Sequence, residues 1–243
     1  MDKIDVGLIC RVTLVSKRKG ADSMKKKLKK MLGLGTILVI MANPGPVMAD
    51  SIASITGNTE YDKMIEKYRK GVSEQWSVNE FIENDLCMLP GYGSDVNRVG
   101  YCLMDIDDNG TDELIMGSVY EDGTPGVIYD IYAMKEDSGI LVARSGEHSM
   151  YSLCSDHIIS YDSFGGPMSF ACYFYTLNGE MLDLKEGVLY DGEYDETNPW
   201  FYITKDMEDE YSEPISEDTA NTIQNSYERI EIPFVPLSTL ENG

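Results

Sequence analysis

The hydrophobic pattern changes its period near Val99, and this change constrains the fold more than any other feature of the chain. From there to about Ile203, short runs rich in Tyr, Ile, Val and Phe alternate with turn signals such as Glu121-Asp122-Gly123 and Asn178-Gly179. An alternation of period two, interrupted by such turns, is typical of half-buried antiparallel strands. The sequence therefore predicts an antiparallel meander. Its predicted strands are Val99–Met104, Glu113–Val119, Val127–Met134, Ile140–Ala143, Met150–Leu153, Ile158–Tyr161, Ser169–Leu177, Met181–Tyr190 and Trp200–Ile203.

Helices are predicted on both sides of this meander. Apolar residues recur at helical spacing between about Thr59 and Glu74, which indicates one amphipathic helix. Ser77-Val78-Asn79-Glu80 matches a capping box and predicts a second helix that runs through Leu86. Ser216 is expected to cap a third helix that runs through Tyr227. Two N-terminal helices, a mainly antiparallel β meander and one C-terminal helix define an α+β fold.

The charge of the chain is distributed unevenly. The chain contains 20 Lys and Arg against 42 Asp and Glu, and residues 1–49 contain ten of the basic residues and three of the acidic ones. Subtraction leaves ten basic and 39 acidic residues in residues 50–243, a net charge of −29. Such a field attracts cations and repels phosphate backbones and anionic lipids. We therefore expect residues 50–243 to form a single acidic domain that binds no nucleic acid.

Residues 24–49 show the three-part pattern of a secretory signal peptide. Lysines between Lys25 and Lys30 precede the apolar run Met31–Ala42, and Asn43-Pro44-Gly45-Pro46 breaks the chain before Ala49. As a helix the run would span about 18 Å, which is short against a hydrocarbon core of about 30 Å. A buried core helix is the alternative, but it leaves the lysine cluster unexplained. We expect cleavage after Ala49 and a secreted product, extracellular or associated with the cell wall, with no membrane partner.

Residues 1–23 precede this signal, which starts with a methionine of its own, Met24. They are interpreted as an over-extended start of the chain.

The segment DIDDNGTDE, from Asp105 to Glu113, carries oxygen-bearing side chains at its first, third, fifth and ninth positions. Its sixth residue is glycine, and the main-chain carbonyl of the seventh is free to bind a cation. Calcium takes six to eight such oxygen ligands, and the glycine permits the sharp turn they require. The carboxylates would repel one another unless they were solvated, protonated or bridged by a cation. The alternative interpretation is a solvated acidic turn.

The longer segment DIDDNGTDELIM resembles the calcium loops of EF-hands, dockerins and the FG-GAP repeats of β-propellers. Met116 stands where an EF-hand has a bidentate glutamate, and an apparent strand follows. The segment is therefore closer to the FG-GAP type, in which the loop joins two strands. The resemblance implies Ca²⁺ as the cofactor. The implied ligands are Asp105, Asp107, Asn109, the Thr111 carbonyl and Glu113.

The order of the whole chain also resembles exported proteins of gut-dwelling Gram-positive bacteria. The resemblance rests on the helix pair, the DIDDNGTDELIM loop, the tyrosine-rich strands and the final segment ISEDTANTIQNSYERIEIPFVPL. It implies export but brings no activity with it.

Other residues suggest chemistry less strongly. Cys154-Ser155-Asp156-His157 combines catalytic residue types, but a nucleophile and its base normally come from separate elements, so a strand end entering a polar turn is expected. Asp191, Glu193 and Asp195 are interpreted as a solvated loop. The 16 tyrosines either line a sugar-binding face or pack in the sheet. The four cysteines of residues 50–243 form two disulfides or remain free, and both possibilities stay open.

No catalytic residue is assigned from the sequence. The first hypothesis is a secreted, calcium-stabilised binding or interaction module without catalysis of its own, whose partner is an extracellular protein or a glycan. The alternative is a secreted hydrolase, directed at a glycan or a peptide, that uses carboxylates of the acidic loops. Whether the protein is an enzyme stays open.

Overall fold

The computed structural model describes residues 54–120, 124–205 and 214–242. The predicted signal peptide, the residues before it and the turn signal Glu121-Asp122-Gly123 lie outside the described residues. The helices are α1 (Thr59–Ser73), α2 (Val78–Glu83) and α3 (Glu217–Gln224). The strands are β1 (Val99–Met104), β2 (Glu113–Ser118), β3 (Ile128–Lys135), β4 (Ser138–Arg144), β5 (Ser149–Leu153), β6 (Ile159–Gly166), β7 (Ser169–Asn178), β8 (Met181–Asp191), β9 (Trp200–Ile203) and β10 (Val235–Pro236).

The strands form one antiparallel sheet in the order β10-β1-β2-β3-β5-β6-β7-β8-β9, with β4 paired to β3 beside this path. The α+β meander predicted from the sequence is thereby confirmed. The β7–β8 hairpin turns at Asn178-Gly179, where Gly179 has a φ of +61°, a left-handed conformation that glycine adopts without strain. The sheet departs from a simple meander at two places: β3 pairs with both β4 and β5, and β10 pairs with β1.

Each helix is preceded by a residue whose side chain accepts hydrogen bonds from free backbone amides of the first turn. Asn58 accepts hydrogen bonds from the amides of the first turn of α1, Ser77 forms the predicted capping box with Glu80, and Ser216 caps α3. Helix α2 ends at Glu83, short of the predicted Leu86, and helix α3 ends at Gln224, short of the predicted Tyr227. The Tyr227 ring centroid lies 4.2 Å from that of Phe174. Tyr227 thus packs on β7 from outside the helix.

The helices cover the sheet with apolar side chains. The buried stripe of α1, which includes Ile65 and Val72, packs with Leu114 and Met116 of β2. Ala220 of α3 packs with strands β7 and β8. Within the described residues, no helix combines the length and apolar composition needed to cross a bilayer. The assignment of residues 50–243 to one domain stays a prediction.

A buried ion pair links the helical segment to the sheet. Asp130 of β3 has 0% exposure, and its carboxylate accepts hydrogen bonds from the Tyr68 hydroxyl at 2.5 Å and the Tyr132 hydroxyl at 2.8 Å. Arg144 donates from Nε to Asp130 Oδ1 at 2.7 Å and from Nη1 to Asp85 Oδ1 at 2.7 Å. Because Tyr68 belongs to α1 and Asp85 follows α2, these bonds hold both helices against the sheet.

Candidate metal site in the loop between strands β1 and β2

The hairpin of β1 and β2 brings the ends of the acidic loop together. Met104, the last residue of β1, pairs with Glu113, the first residue of β2. The loop therefore leaves and rejoins the sheet at neighbouring positions, with Asp105 and Glu113 at its two ends. The Ile106 amide donates to Glu113 Oε2 at 2.9 Å and fixes the orientation of that carboxyl group.

Backbone amides wrap the loop around Asp105. The Asn109 amide donates to Asp105 Oδ1 at 3.0 Å, and the Gly110 amide donates to Asp105 Oδ2 at 2.8 Å. Gly110 has a φ of +87°, so the predicted glycine position does require a left-handed backbone. The Thr111 amide donates to Asn109 Oδ1 at 2.8 Å. These bonds turn the loop back on itself.

Three carboxylates converge inside this loop. Asp105, Asp107 and Glu113 each offer an oxygen, and these oxygens lie within 4.8 Å of one another. Glu113 has 1% exposure, and its burial, together with the charges of Asp107 and Asp105, raises its pKa to about 7. Protonation or a bound cation would relieve this concentration of negative charge. The three carboxylates are therefore a group that could bind a metal ion.

The other predicted ligands lie in the same loop. The Asn109 side chain faces the Thr111 amide, and the roles of the Asn109 oxygen and the Thr111 carbonyl as ligands stay predictions. The Asp108 side chain is 85% exposed, and its Oδ1 lies 3.7 Å from His157 Nδ1. This exposure agrees with the spacing argument, which leaves Asp108 out of the ligand set.

A contact from a distant hairpin was missed by the sequence analysis. The Gly179 amide, in the turn between β7 and β8, donates to Asp107 Oδ2 at 2.7 Å, across a separation of 72 residues. The next residue, Glu180, forms an ion pair with Lys135 at the end of β3. No local signal predicts these contacts, because they join residues that are far apart in the sequence.

The remaining sequence candidates have structural explanations. Cys154 has 0% exposure, and burial raises the pKa of its thiol, which disfavours the nucleophilic thiolate. The four cysteines among the described residues are free and buried. The carboxylates of Asp191 and Asp195 accept hydrogen bonds from backbone amides of their own loop. The rings of Tyr161 and Tyr173 stack on each other at 6.1 Å and 26°, so these rings pack in the sheet.

Comparisons with models of known protein families, with curated proteins and with solved structures gave no match to this chain. The carboxylate loop is therefore the main basis for proposing a function.

Proposed function

We propose that the protein is an exported module that binds an extracellular protein or a glycan and that is stabilised by a calcium ion held in the Asp105–Glu113 loop. The observation that carries the proposal is the convergence of three carboxylates within 4.8 Å at the end of a hairpin. In this function the ion is structural, and the protein needs no catalytic residues of its own.

Calcium suits the chemistry of the loop. The donors are hard oxygen atoms, which favour calcium, magnesium or manganese over softer metals. The spacing of the loop offers five protein ligands, whereas magnesium keeps several of its waters and requires a tight octahedron. The bound ion would favour the ionised form of Glu113. Through the hydrogen bond between Asp107 and Gly179, it would also brace the β7–β8 hairpin against the β1–β2 hairpin.

One observation weighs against the alternative hydrolase function. A hydrolase of this kind needs two carboxyl groups that face the substrate, one of them with a raised pKa. Glu113 has the raised pKa, but it has only 1% exposure, and its Oε2 accepts a hydrogen bond from the Ile106 amide. A substrate would therefore not reach this carboxyl group, and a binding role is favoured.

Thermal unfolding tests the calcium ion. With about 1 mM free calcium and a dissociation constant of about 10 μM, binding adds about 2.7 kcal/mol to the free energy of unfolding. At about 2–4 °C per kcal/mol, the melting temperature should rise by roughly 5–11 °C relative to chelator. Asp105→Ala should abolish this difference, and the control Asp108→Ala should retain it. Equal melting temperatures of the wild-type protein in calcium and in chelator would refute the proposal.

Export is tested separately at the N-terminus. Protein recovered from the medium of expressing cells should begin at or near Asp50. A species that begins at Met1, or that stays in the membrane through Met31–Ala42, would contradict export and leave the calcium test unaffected.

A further inference from the structure

A cleft of about 750 Å³ lies between strands β6 and β7 and the segment that follows α3. It is lined by residues other than those of the metal loop. Its volume falls within the range of about 300–1,000 Å³ that is usual for small-molecule sites. The cleft is therefore large enough for a ligand of the size of one or two sugar rings.

Aromatic rings form the apolar walls of the cleft. Phe174 packs against Tyr227 at 4.2 Å, and Phe164 packs against Phe170 at 5.3 Å. The Tyr227 hydroxyl donates to Glu186 Oε1 at 2.5 Å, which fixes the ring. Phe164 is 46% exposed, so part of its apolar surface faces solvent beside the cleft. These rings can take up the apolar face of a ligand.

Two buried polar atoms in the wall have no hydrogen-bond partner among the described residues. Asp162 has 9% exposure, and while its Oδ2 accepts a hydrogen bond from Arg229, its Oδ1 accepts none. The adjacent Cys172 thiol interacts with the Asp162 carboxylate as a hydrogen-bond donor, but a thiol is a weak donor. Burial and the charge of Asp162 raise the pKa of that thiol. Gln224 Nε2, a donor, also lacks a partner. Two residues that line the cleft thus hold a buried acceptor without a strong donor and a buried donor without a partner.

The hydrogen-bonding needs of Asp162 Oδ1, an acceptor, and Gln224 Nε2, a donor, favour one class of ligand over others. An ammonium group donates but cannot accept, so it would leave Gln224 Nε2 unpaired. A phosphate or carboxylate cannot donate to Asp162; Arg229 also lines the cleft, but its guanidinium is paired with Asp162, and Glu228 and the net charge of −22 would repel an anion. A hydroxyl group both donates and accepts. An extended peptide carries two backbone polar groups per residue, whereas only these two buried side-chain atoms of the wall lack a partner among the described residues.

We propose that the cleft binds a neutral sugar. The C–H face of the sugar ring packs on the Phe164 and Phe170 side, one hydroxyl donates to Asp162, and another accepts from Gln224. The remaining hydroxyls stay in solvent at the open side. The inference rests on the proposed binding function, since it names the ligand class and gives it a location away from the metal loop.

Both polar atoms are covered in this structure, so sugar binding requires the Arg229 side chain and the Gln224 amide to move. Asp162 Oδ1 and Gln224 Nε2 are covered, and Arg229 holds the neighbouring Oδ2. The Arg229 side chain is 46% exposed, while its main chain forms a bridge with Cys154. The guanidinium can therefore turn outward into solvent while the backbone stays in place. The sugar hydroxyl then takes over as donor to the carboxylate.

The test is an NMR titration of the ¹⁵N-labelled protein. The probes are methyl glycosides of glucose, galactose, mannose and N-acetylglucosamine, and the readout is the side-chain amide signal of Gln224. At least one probe should shift this signal with a dissociation constant of about 1 mM, a usual strength for so few contacts. Phe164→Ala and Asp162→Asn should each weaken binding at least tenfold. The matched controls Tyr92→Ala and Asp137→Asn, at exposed sites away from the cleft, should leave it unchanged.

Three results would overturn the sugar proposal. One is a Gln224 signal that none of the four glycosides shifts at about 100 mM. Another is wild-type affinity in both Phe164→Ala and Asp162→Asn. The third is a shift caused by phenethylamine or by a short peptide but by no glycoside. These outcomes are distinguishable from a failure of the calcium proposal, because calcium is scored by the melting temperature and the titration is repeated in chelator.

Discussion

Removing the Arg144 guanidinium should destabilise the fold by an amount that follows from the geometry of the buried pair. Arg144 donates from Nε to Asp130 Oδ1 at 2.7 Å and from Nη2 to Oδ2 at 3.2 Å, and Asp130 has 0% exposure. Breaking a buried pair by removing one partner costs about 3–5 kcal/mol. In Arg144→Met, the hydroxyls of Tyr68 and Tyr132 would still donate to Oδ2, so we expect the lower end, about 3 kcal/mol.

Urea unfolding measures this loss against a matched control. At a slope of about 1–3 kcal/mol per molar urea, a loss of about 3 kcal/mol lowers the midpoint by about 1–3 M. The matched control is Asp85→Asn, which removes the other ion-pair partner of Arg144. The Asp85 side chain is 87% exposed, and such an exposed pair contributes about 0–1 kcal/mol to the free energy of unfolding. Adding Asp130→Asn to Arg144→Met should restore part of the stability, because no charge is then left buried. If Arg144→Met destabilised no more than Asp85→Asn, the argument for a buried ionic link would fail.

Three further predictions concern the loop and the thiols. In chelator, protonation of Glu113 should stabilise the folded protein fully below about pH 4.5, and this contribution should be lost as the pH rises through about 7, because the pKa of Glu113 is higher in the folded than in the unfolded protein. Thermal melts of Glu113→Gln should lack this pH dependence. A pH dependence equal to that of the wild-type protein would contradict the raised pKa. Asp107→Ala should destabilise the protein by about 0.5–1.5 kcal/mol even without calcium, since the part-buried Gly179 amide loses its acceptor, while Asp108→Ala should change urea stability little. Iodoacetamide should label none of the four described cysteines in the folded protein and all of them after denaturation, as judged by mass spectrometry, and labelling before unfolding would contradict their burial.

Local patterns predicted the strands whose ends carry strong turn signals. Val99–Met104 and Trp200–Ile203 occur where the sequence indicates them, because their period and their flanking loops are local properties. The pairing of β3 with both β4 and β5 has no local signal, since it depends on which strands meet in three dimensions. The third helix was predicted to run through Tyr227 because an aromatic residue at helical spacing indicates a buried helix face. Tyr227 instead packs on Phe174 from outside the helix, and the sequence does not distinguish the two kinds of burial.

The same distinction holds for the sites. Asp105, Asp107 and Glu113 could be selected from their spacing, because one loop between paired strands brings them together. The contact of Gly179 with Asp107 joins two hairpins across 72 residues, so it depends on the tertiary fold and has no local signal. Asp162 and Gln224 have no motif in common, and the sequence shows neither that they share a cleft nor that each leaves an atom unpaired.

Calorimetric titration of calcium into the chelator-treated protein tests the central proposal most directly. We expect one ion per chain with a dissociation constant of about 10 μM, weaker binding of magnesium, and no calcium heat from Glu113→Gln or Asp105→Ala. The control Asp108→Ala should bind as the wild-type protein does. If the wild-type protein takes up no calcium at concentrations up to about 1 mM, the Asp105–Glu113 loop is an acidic turn and the calcium-stabilised module is refuted.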